Sequence, residues 1–272
     1  MRWSLPTAAA LIAASPAVLA DEPIRQTNNQ ESYSIAIAPL HVTEQTNPLQ
    51  GPPVIDSVAG TRYLYGYEVA RTRAIFTVPG WYTDFDVSAG GATLLDTGSQ
   101  FESGVTGPVP LNESVTYGEE SVRGRVGRTF EFARNGIFAV TPFVGLSEKF
   151  WVREAPVNDN ASGYMYADGG VEGGILAQAS LPWHLVLGAS AAAGRTTGAL
   201  VHGEALERNY ASTKSYSLKL DHRTIPDWHQ SLEVRQIFRH YSLAPDVPSF
   251  FEPSRASELS VMLEVGWEFP AP

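Results

Sequence analysis

Most of this 272-residue chain alternates apolar and polar residues over long segments, and this period of two constrains its fold most strongly. Successive side chains of a β-strand point to opposite faces, so the alternation predicts strands whose two faces meet different surroundings. The segments run about 10 to 15 residues, whereas strands of soluble sheets usually have about 5 or 6. Strands are predicted at residues 32–42, 61–75, 80–94, 116–133, 137–152, 163–181, 184–196, 208–222, 228–243 and 257–269.

Short and long connections alternate between these strands. The short ones carry turn residues and are Val78-Pro79-Gly80, Arg134-Asn135-Gly136, Leu181-Pro182-Trp183 and Thr224-Ile225-Pro226-Asp227. The long ones cover residues 43–60, 95–115, 153–162, 197–207 and 244–256. Short turns at one end and long loops at the other are typical of transmembrane barrels. The sequence therefore predicts an all-β fold, an up-and-down antiparallel transmembrane β-barrel of about ten strands, with eight or twelve as alternatives.

The two faces of the predicted strands differ in composition. On the strand 137–152, Val140, Val144 and Leu146 oppose Ser147 and Lys149. Charges of both signs occur at mid-strand on the polar faces. A soluble barrel would turn these faces to water and a transmembrane barrel would turn them to a polar lumen, and the positions of the tryptophans favour the lumen. The predicted lumen network consists of Asp84, Asp86, Arg123, Arg125, Glu131, Lys149, Asp168, Glu172, Lys219, Glu233, Arg235, Arg239 and Glu264.

Tryptophans fall near the ends of the predicted strands. Four lie at short-turn ends and Trp151 lies at a long-loop end. Indole rings prefer the boundary between membrane and water, where the ring is shielded and its N–H stays hydrated. An aromatic girdle is therefore predicted, formed by Trp81, Trp151, Trp183, Trp228, Trp267 and Phe269.

The first twenty residues have the features of a secretory signal peptide. Arg2 provides a charged start, residues 8–14 are a short apolar stretch, and Val18-Leu19-Ala20 fits a cleavage pattern. We therefore expect a signal peptide at 1–20, a short periplasmic segment at 21–31 and a barrel domain at 32–272. Together these features predict export to the outer membrane of a Gram-negative bacterium.

Composition excludes several functions. The formal charge of −10 argues against nucleic acid as a partner, because binding phosphate backbones requires a basic surface. The absence of cysteine excludes disulfides, thiolate catalysis and cysteine-ligated metals. The six histidines show no metal-ligand spacing, so neither metal nor cofactor is expected. The expected partners are outer-membrane lipid and lipopolysaccharide, and the barrel assembly machinery during insertion.

One hairpin resembles a hairpin of autotransporter translocator barrels. It comprises residues 121–130, the turn Arg134-Asn135-Gly136 and residues 140–147. The final strand, Glu264-Val265-Gly266-Trp267-Glu268-Phe269, resembles the carboxy-terminal assembly signal of outer-membrane barrels. The resemblance implies an outer-membrane barrel with a polar lumen. It does not imply autotransport, because only about a dozen residues separate the predicted cleavage site from the first strand, which leaves no passenger.

Two groups of residues could carry chemistry. Asp84 and Asp86 could share a proton, but they are expected to pair with Arg123 and Arg125 on the neighbouring strand. His240 and Ser242 share one face near a long loop and are the candidate pair for a hydrolase.

Three functions therefore stay open. The first hypothesis is a non-enzymatic outer-membrane barrel with a structural, surface-interaction or narrow-pore role, porin-like in architecture. The alternatives are an outer-membrane hydrolase acting on lipid or protein and a soluble periplasmic barrel that binds a ligand.

Overall fold

The computed structural model describes residues 22–46, 54–75, 78–101, 108–132, 137–154, 164–202, 205–225, 227–243 and 251–268. These residues form one short helix and eleven strand segments. They are α1 (Glu22–Thr27), β1 (Gln30–Thr46), β2 (Val54–Ile75), β3 (Val78–Phe101), β4 (Pro108–Arg128), β5 (Phe130–Phe132), β6 (Phe138–Glu154), β7 (Tyr164–Leu181), β8 (Leu185–His202), β9 (Ala205–Ile225), β10 (Trp228–Leu243) and β11 (Phe251–Glu268).

The strands close into a single antiparallel ring. Each strand pairs with its neighbours along the chain, and β1 pairs with β11 to complete the ring. The short strand β5 continues the ladder of β4 on β6 in the same register, since Gly127 faces Phe143 and Phe130 faces Val140. It is therefore not a separate member of the ring. The predicted up-and-down barrel of ten strands is confirmed, and eight and twelve strands are excluded.

The strands are staggered by twelve residues around the ring. Paired residues can be followed from each strand to the next around the whole ring. A path that starts at Glu31 of β1 returns to β1 at Thr43, which is twelve residues further along the same strand. In a ten-stranded barrel a stagger of this size tilts the strands by about 40° from the barrel axis. Residues that share a height in the barrel are consequently not the residues that pair across the ladder.

The strands extend beyond their predicted bounds at the ends that carry the long connections. Strand β2 has 22 residues and β3 has 24, whereas about 9 to 11 tilted residues cross a hydrocarbon layer. The additional residues still pair, as Thr46 does with Val54. Much of the predicted long loops is therefore barrel wall, which projects past the apolar part of the barrel.

The opposite end of the barrel has tight turns. Val78 already pairs with Ile75, so the predicted turn Val78-Pro79-Gly80 is instead the start of β3. Gly80 has a φ of 83° and its carbonyl accepts the N–H of Thr129. The turn Arg134-Asn135-Gly136 lies outside the described residues.

The segment before β1 is folded, although no helix was expected in it. Helix α1 has six residues and leads through Asn28 and Asn29 into β1. It lies against β7 and β8 at the short-turn end of the ring. None of the helices in the described part of the chain is long and apolar enough to cross a membrane.

Candidate functional site

The wall of the barrel is apolar outside and polar inside. Tyr65, Leu146 and Leu263 point outward and are 67 %, 67 % and 62 % exposed. Charged side chains such as Asp84 and Lys149 point inward and are buried. A protein surrounded by water has the opposite distribution, because apolar burial drives folding there. The interior is therefore where the polar chemistry of this chain is concentrated.

The lower network is a layer of ion pairs nearer the short-turn end. Arg125 Nε lies 2.6 Å from Glu172, and Arg235 Nε lies 3.0 Å from Glu233. Its members come from seven strands and are Glu68, Asp84, Asp86, Arg123, Arg125, Glu172, Lys219, Glu233, Arg235 and Glu264. All but Glu68 were predicted to line the lumen.

The two aspartates of the lower network each face an arginine. Asp84 lies 3.9 Å from Arg125, and Asp86 lies 3.9 Å from Arg123. The four residues sit directly opposite one another on β3 and β4. The aspartates lie in the half of the barrel that carries the tight turns, far from the long-loop rim. This environment suits a structural ion pair better than an acid–base pair open to a substrate.

Three carboxylates of the lower network have oxygens within 4.8 Å of one another, at Glu68, Glu233 and Glu264. Such a group could hold a cation. Lys219 already supplies the positive charge, because its Nζ lies 2.6 Å from Glu264 and 3.3 Å from Glu68. We therefore interpret this cluster as part of the ion-pair layer.

The upper network is a second layer, nearer the long-loop end. Arg62 is 1 % exposed, contacts Glu119, and lies 3.2 Å from Glu258. Lys149 Nζ lies 2.9 Å from Glu119 and 2.8 Å from Glu258, and Arg239 also contacts Glu258. The layer comprises Arg62, Glu119, Lys149, Arg239 and Glu258, with buried Asp168 paired to Lys149 across β6 and β7.

Sequence reasoning identified Lys149, Asp168 and Arg239 but missed the other three members of the upper network. Glu258 has the same parity along its strand as Glu264, which was assigned to the lumen. The alternation along the strand could therefore have identified Glu258 as a residue of the lumen. Arg62 precedes the aromatic run Tyr63-Leu64-Tyr65, where apolar residues on both faces hide the alternation.

An aromatic and aliphatic layer, the upper lid, covers the upper network. The rings of Tyr117 and Trp151 stack with centroids 5.5 Å apart, and Tyr166 lies 5.3 Å beyond. The hydroxyl of Tyr117 donates to Glu119 at 2.9 Å, which ties the lid to the ion pairs. The lid comprises Leu40, Val42, Val58, Leu94, Val115, Tyr117, Trp151, Tyr166, Ala211 and Ala256.

Trp151 was predicted to belong to the outer girdle, and this prediction is wrong. The side chain points into the barrel and is 8 % exposed. It has the same parity along β6 as Lys149, whereas Phe150 faces outward. The position of Trp151 near a predicted strand end indicated a membrane boundary. Strand β6 continues to Glu154, and the inward residues at this level form the apolar upper lid.

The other girdle residues lie near the tight turns. Trp81, Trp228 and Trp267 are on the outward faces of their strands, and the rings of Trp228 and Trp267 are 6.3 Å apart. Trp183 lies in the turn between β7 and β8 and is 82 % exposed. Phe269 lies outside the described residues. Glu131, predicted for the lumen, is partly exposed on β5 at this end.

Helix α1 fills the short-turn end of the lumen. Ile24 is fully buried in a cluster with Ala139 and Val186. The hydroxyl of Thr27 donates to Asp221 at 3.0 Å, and Asn28 and Gln178 exchange hydrogen bonds of 2.9 and 2.8 Å. His229 Nδ1 lies 2.7 Å from the same Asp221. We call this group, residues 22–30 with their lumen partners, the plug.

A cavity of about 60 Å³ lies between the plug and the lower network. It is large enough for a few water molecules and too small for an organic ligand. The lumen thus contains, from one end to the other, a plug, two ion-pair layers and a lid. Its chemistry is that of a filled interior.

A serine and a histidine also meet on the outward face, near the long-loop end. The hydroxyl oxygen of Ser57 on β2 lies 3.1 Å from His41 Nε2 on β1, and the pair is exposed. The predicted pair was His240 and Ser242. His240 is exposed, and the side chain of Ser242 lies outside the described set. The serine and histidine on β1 and β2 were missed because no motif links residues 16 positions apart.

A closed ring with short turns, an apolar outer face and a charged interior is the architecture of bacterial outer-membrane β-barrels. No protein-family model matches the sequence, and no curated protein matches it. The likeness to known proteins is therefore one of structure.

Among solved structures the chain is similar to the outer membrane protease OmpT from Escherichia coli. The TM-score is 0.61 at 9 % identity, covering 94 % of this chain and all of the other. It is also similar to the β domain of the Bordetella autotransporter BrkA (TM-score 0.41, 10 % identity, 89 % of this chain and 100 % of the other). The translocator domain of NalP from Neisseria meningitidis has a TM-score of 0.39 at 9 % identity, with 88 % of each chain covered. The predicted resemblance to outer-membrane barrels is confirmed at the level of the fold.

Proposed function

We propose that this chain is a non-enzymatic outer-membrane barrel whose lumen is closed and which acts through its outward surfaces. In this proposal a signal peptide exports it in a Gram-negative bacterium, and the barrel assembly machinery inserts it. The observation that carries the proposal is the filling of the lumen by paired charges while the outer wall is apolar.

Ion pairs support the closed lumen. A conducting pore keeps a wide, hydrated path, whereas the charged groups here neutralise one another across the barrel. Lys149 on β6 and Glu258 on β11 lie five strands apart in the ring of ten, and their contact at 2.8 Å joins opposite walls. The upper lid and the plug close the lumen above and below this bridge.

The outward face argues against a soluble periplasmic barrel that binds a ligand. A lipocalin-like protein would direct its apolar residues to an internal cavity. Here residues such as Ile35, Val144 and Val171 are more than half exposed on the outer wall, and the cavity between the plug and the lower network measures about 60 Å³.

The experiment is to purify the full-length protein from membranes and test it in two ways. Unboiled samples are expected to migrate differently from boiled samples on a gel, and planar bilayers are expected to show no steady conductance above that of empty bilayers. Steady open channels would contradict the closed lumen. Release of the protein without detergent, with no mobility shift, would contradict the membrane barrel itself.

The hydrogen bond between Ser57 and His41 favours a second candidate function, that of a surface hydrolase. His41 Nε2 could accept the proton of Ser57 as its oxygen attacks an ester carbonyl. No described carboxylate contacts His41, so the third member of a triad is lacking among the residues that the structure describes.

Substitution of the serine separates the two functions. If the barrel is non-enzymatic, the Ser57→Ala variant and the wild-type protein should release fatty acid from phospholipid and glycolipid esters at the same slow rate. The matched control is Ser114→Ala, an exposed serine on the outward face of β4 that pairs with Leu95. A loss of about 100-fold or more in Ser57→Ala alone would instead establish a hydrolase with Ser57 as nucleophile.

A further inference from the structure

The lower network contains more carboxylates than cations. It has six carboxylates and four cationic side chains, so two negative charges are left over. The neighbouring layers do not offset them. The upper network matches three cations with three carboxylates, and beside the plug Arg223 and His229 already contact Glu268 and Asp221. Uncompensated charge in a buried layer is costly, so the lower network needs a further cation.

The excess charge lies on three particular carboxylates. Three of the four cations have a close carboxylate partner at 2.6 to 3.0 Å, and these pairs are Arg125 with Glu172, Arg235 with Glu233, and Lys219 with Glu264. Glu68, Asp84 and Asp86 remain, with Arg123 as the fourth cation. Glu68 lies 3.3 Å from Lys219, and every contact of the two aspartates with an arginine is 3.9 Å long, which is beyond the reach of a hydrogen bond. We call Glu68, Asp84 and Asp86 the acidic triplet.

The acidic triplet is compact. Glu68 pairs directly with Asp86 across β2 and β3, and Asp84 is a diagonal neighbour of Glu68, because Asp84 pairs with Ala70. Like charges at facing positions repel one another and destabilise a sheet. A cation among the three carboxylates would turn this repulsion into attraction.

One oxygen of the acidic triplet has a vacant acceptor position. The side chain of Asp84 is 4 % exposed, and none of the residues that the structure describes donates a hydrogen bond to its Oδ1. A buried carboxylate oxygen in a folded protein normally has a partner, so a ligand from outside the chain is expected there. Asp84 and Glu68 both line the cavity of about 60 Å³ between the plug and the lower network. This cavity has room for an ion and some of its water.

We propose that the acidic triplet binds one divalent cation with a preference for oxygen ligands, Ca²⁺ or Mg²⁺, at the edge of this cavity. Glu68 and Asp84 provide carboxylate oxygens, Asp86 adds its charge, and water in the cavity completes the coordination. Both ions accept carboxylate and water oxygens as ligands and need no histidine. One divalent ion also matches the two excess charges. This inference concerns the lumen and goes beyond the proposed function.

The plug determines how the ion can be supplied. Thr27 and Asn28 form one side of the cavity, so α1 lies between the proposed ion and the short-turn end. We expect slow exchange of the ion while the plug is docked. The metal is therefore added or withheld while the full-length chain folds.

The first test refolds the full-length protein from urea into neutral detergent with Ca²⁺, with Mg²⁺ or with a chelator. Free metal is removed, and bound metal is measured by elemental analysis. The wild type should retain about one divalent ion per chain, and Glu68→Gln/Asp84→Asn less than about a tenth of that amount. The control, Glu120→Gln, removes an exposed carboxylate from the outward face of β4 and should retain as much metal as the wild type. The ion that is retained identifies the ligand.

The second test measures the urea midpoint of unfolding by the gel shift. With metal the wild type should be more resistant than Glu68→Gln/Asp84→Asn, because a ligand that binds only the folded chain stabilises it. With chelator the order should reverse, because the double variant no longer contains the two excess charges. Loss of a purely structural contact would lower the midpoint under both conditions. Asp84→Asn alone should show the same reversal to a smaller extent, and it is the variant to use if the double variant does not fold.

Three results would overturn the inference. The first is a wild-type barrel that folds and shows the gel shift but retains less than about a tenth of an ion of either metal. The second is equal retention by the wild type and the double variant. The third is a midpoint that responds to NaCl as strongly as to a divalent salt of the same ionic strength, since screening alone would then explain the effect. None of these results bears on the closed lumen, which the conductance measurement tests separately.

Discussion

Arg62→Met should lower the free energy of unfolding by about 3–5 kcal/mol, the cost of removing one partner from a buried ion pair. Arg62 is 1 % exposed and contacts Glu119 and Glu258, and its Nε donates to the carbonyl of Ala38 at 3.2 Å. Methionine fills similar space but leaves the two carboxylates with only Lys149 and Arg239 as counter-charges. Urea unfolding in lipid vesicles, followed by the gel shift, measures the loss.

The control is Arg73→Met, which removes the same group from an exposed outward position on β2 near the tight turns. Arg73→Met should lower the free energy of unfolding by no more than about 1 kcal/mol, because a cationic side chain near the membrane boundary changes the stability of a barrel only slightly. The double variant Arg62→Met/Glu119→Gln should recover part of the loss, since one uncompensated charge is removed. Similar losses in Arg62→Met and Arg73→Met would show that the upper network does not hold the barrel together.

Ile24→Asp is the second change with a large expected effect, and it should release the plug from the lumen. Ile24 is fully buried against Ala139 and Val186, and an aspartate there would be an unpaired charge in an apolar contact. The loss of the buried isoleucine alone costs about 2–5 kcal/mol. Burial of the unpaired aspartate charge adds a further cost. Because α1 has only six residues, the chain can avoid that cost if the helix leaves the lumen.

Undocking can be measured with a thiol, because the chain has no cysteine of its own. Thr27→Cys introduces one at a buried position in α1. We expect a membrane-impermeant thiol reagent to label it at least about tenfold faster when Ile24→Asp is also present. Arg25→Asp, on the exposed side of the helix, is the control and should leave labelling slow. Fast labelling in both would mean that α1 is not held by its apolar contact.

The ring and the inward faces could be predicted from the alternation alone. Both depend on a local property, since parity along a strand assigns each side chain to one face of the wall. Parity also corrects Trp151, whose neighbours Ser147 and Lys149 were rightly placed on the polar face. Trp151 was wrongly placed in the girdle because the preference of tryptophan for the membrane boundary was given more weight than the alternation along the strand.

Height within the barrel could not be predicted, because it depends on the stagger of twelve residues that only the pairing of all strands defines. Arg62 and Glu258 meet although 196 positions separate them. The sequence therefore indicated a charged lumen but not its division into two layers and a lid. The plug was missed for a different reason, since six residues are too few to display a helical period.

The long separation of the ion partners has a consequence for how the barrel is completed. Lys219 and Glu68 are 151 positions apart, and Lys149 and Glu258 are 109 apart. A wall without β11 would therefore hold Arg62 and Lys149 without Glu258, and Lys219 without Glu264. Addition of the last strand supplies both missing carboxylates in a single step. Both ion-pair layers are therefore complete only in the closed ring, and they stabilise it more than a wall without β11.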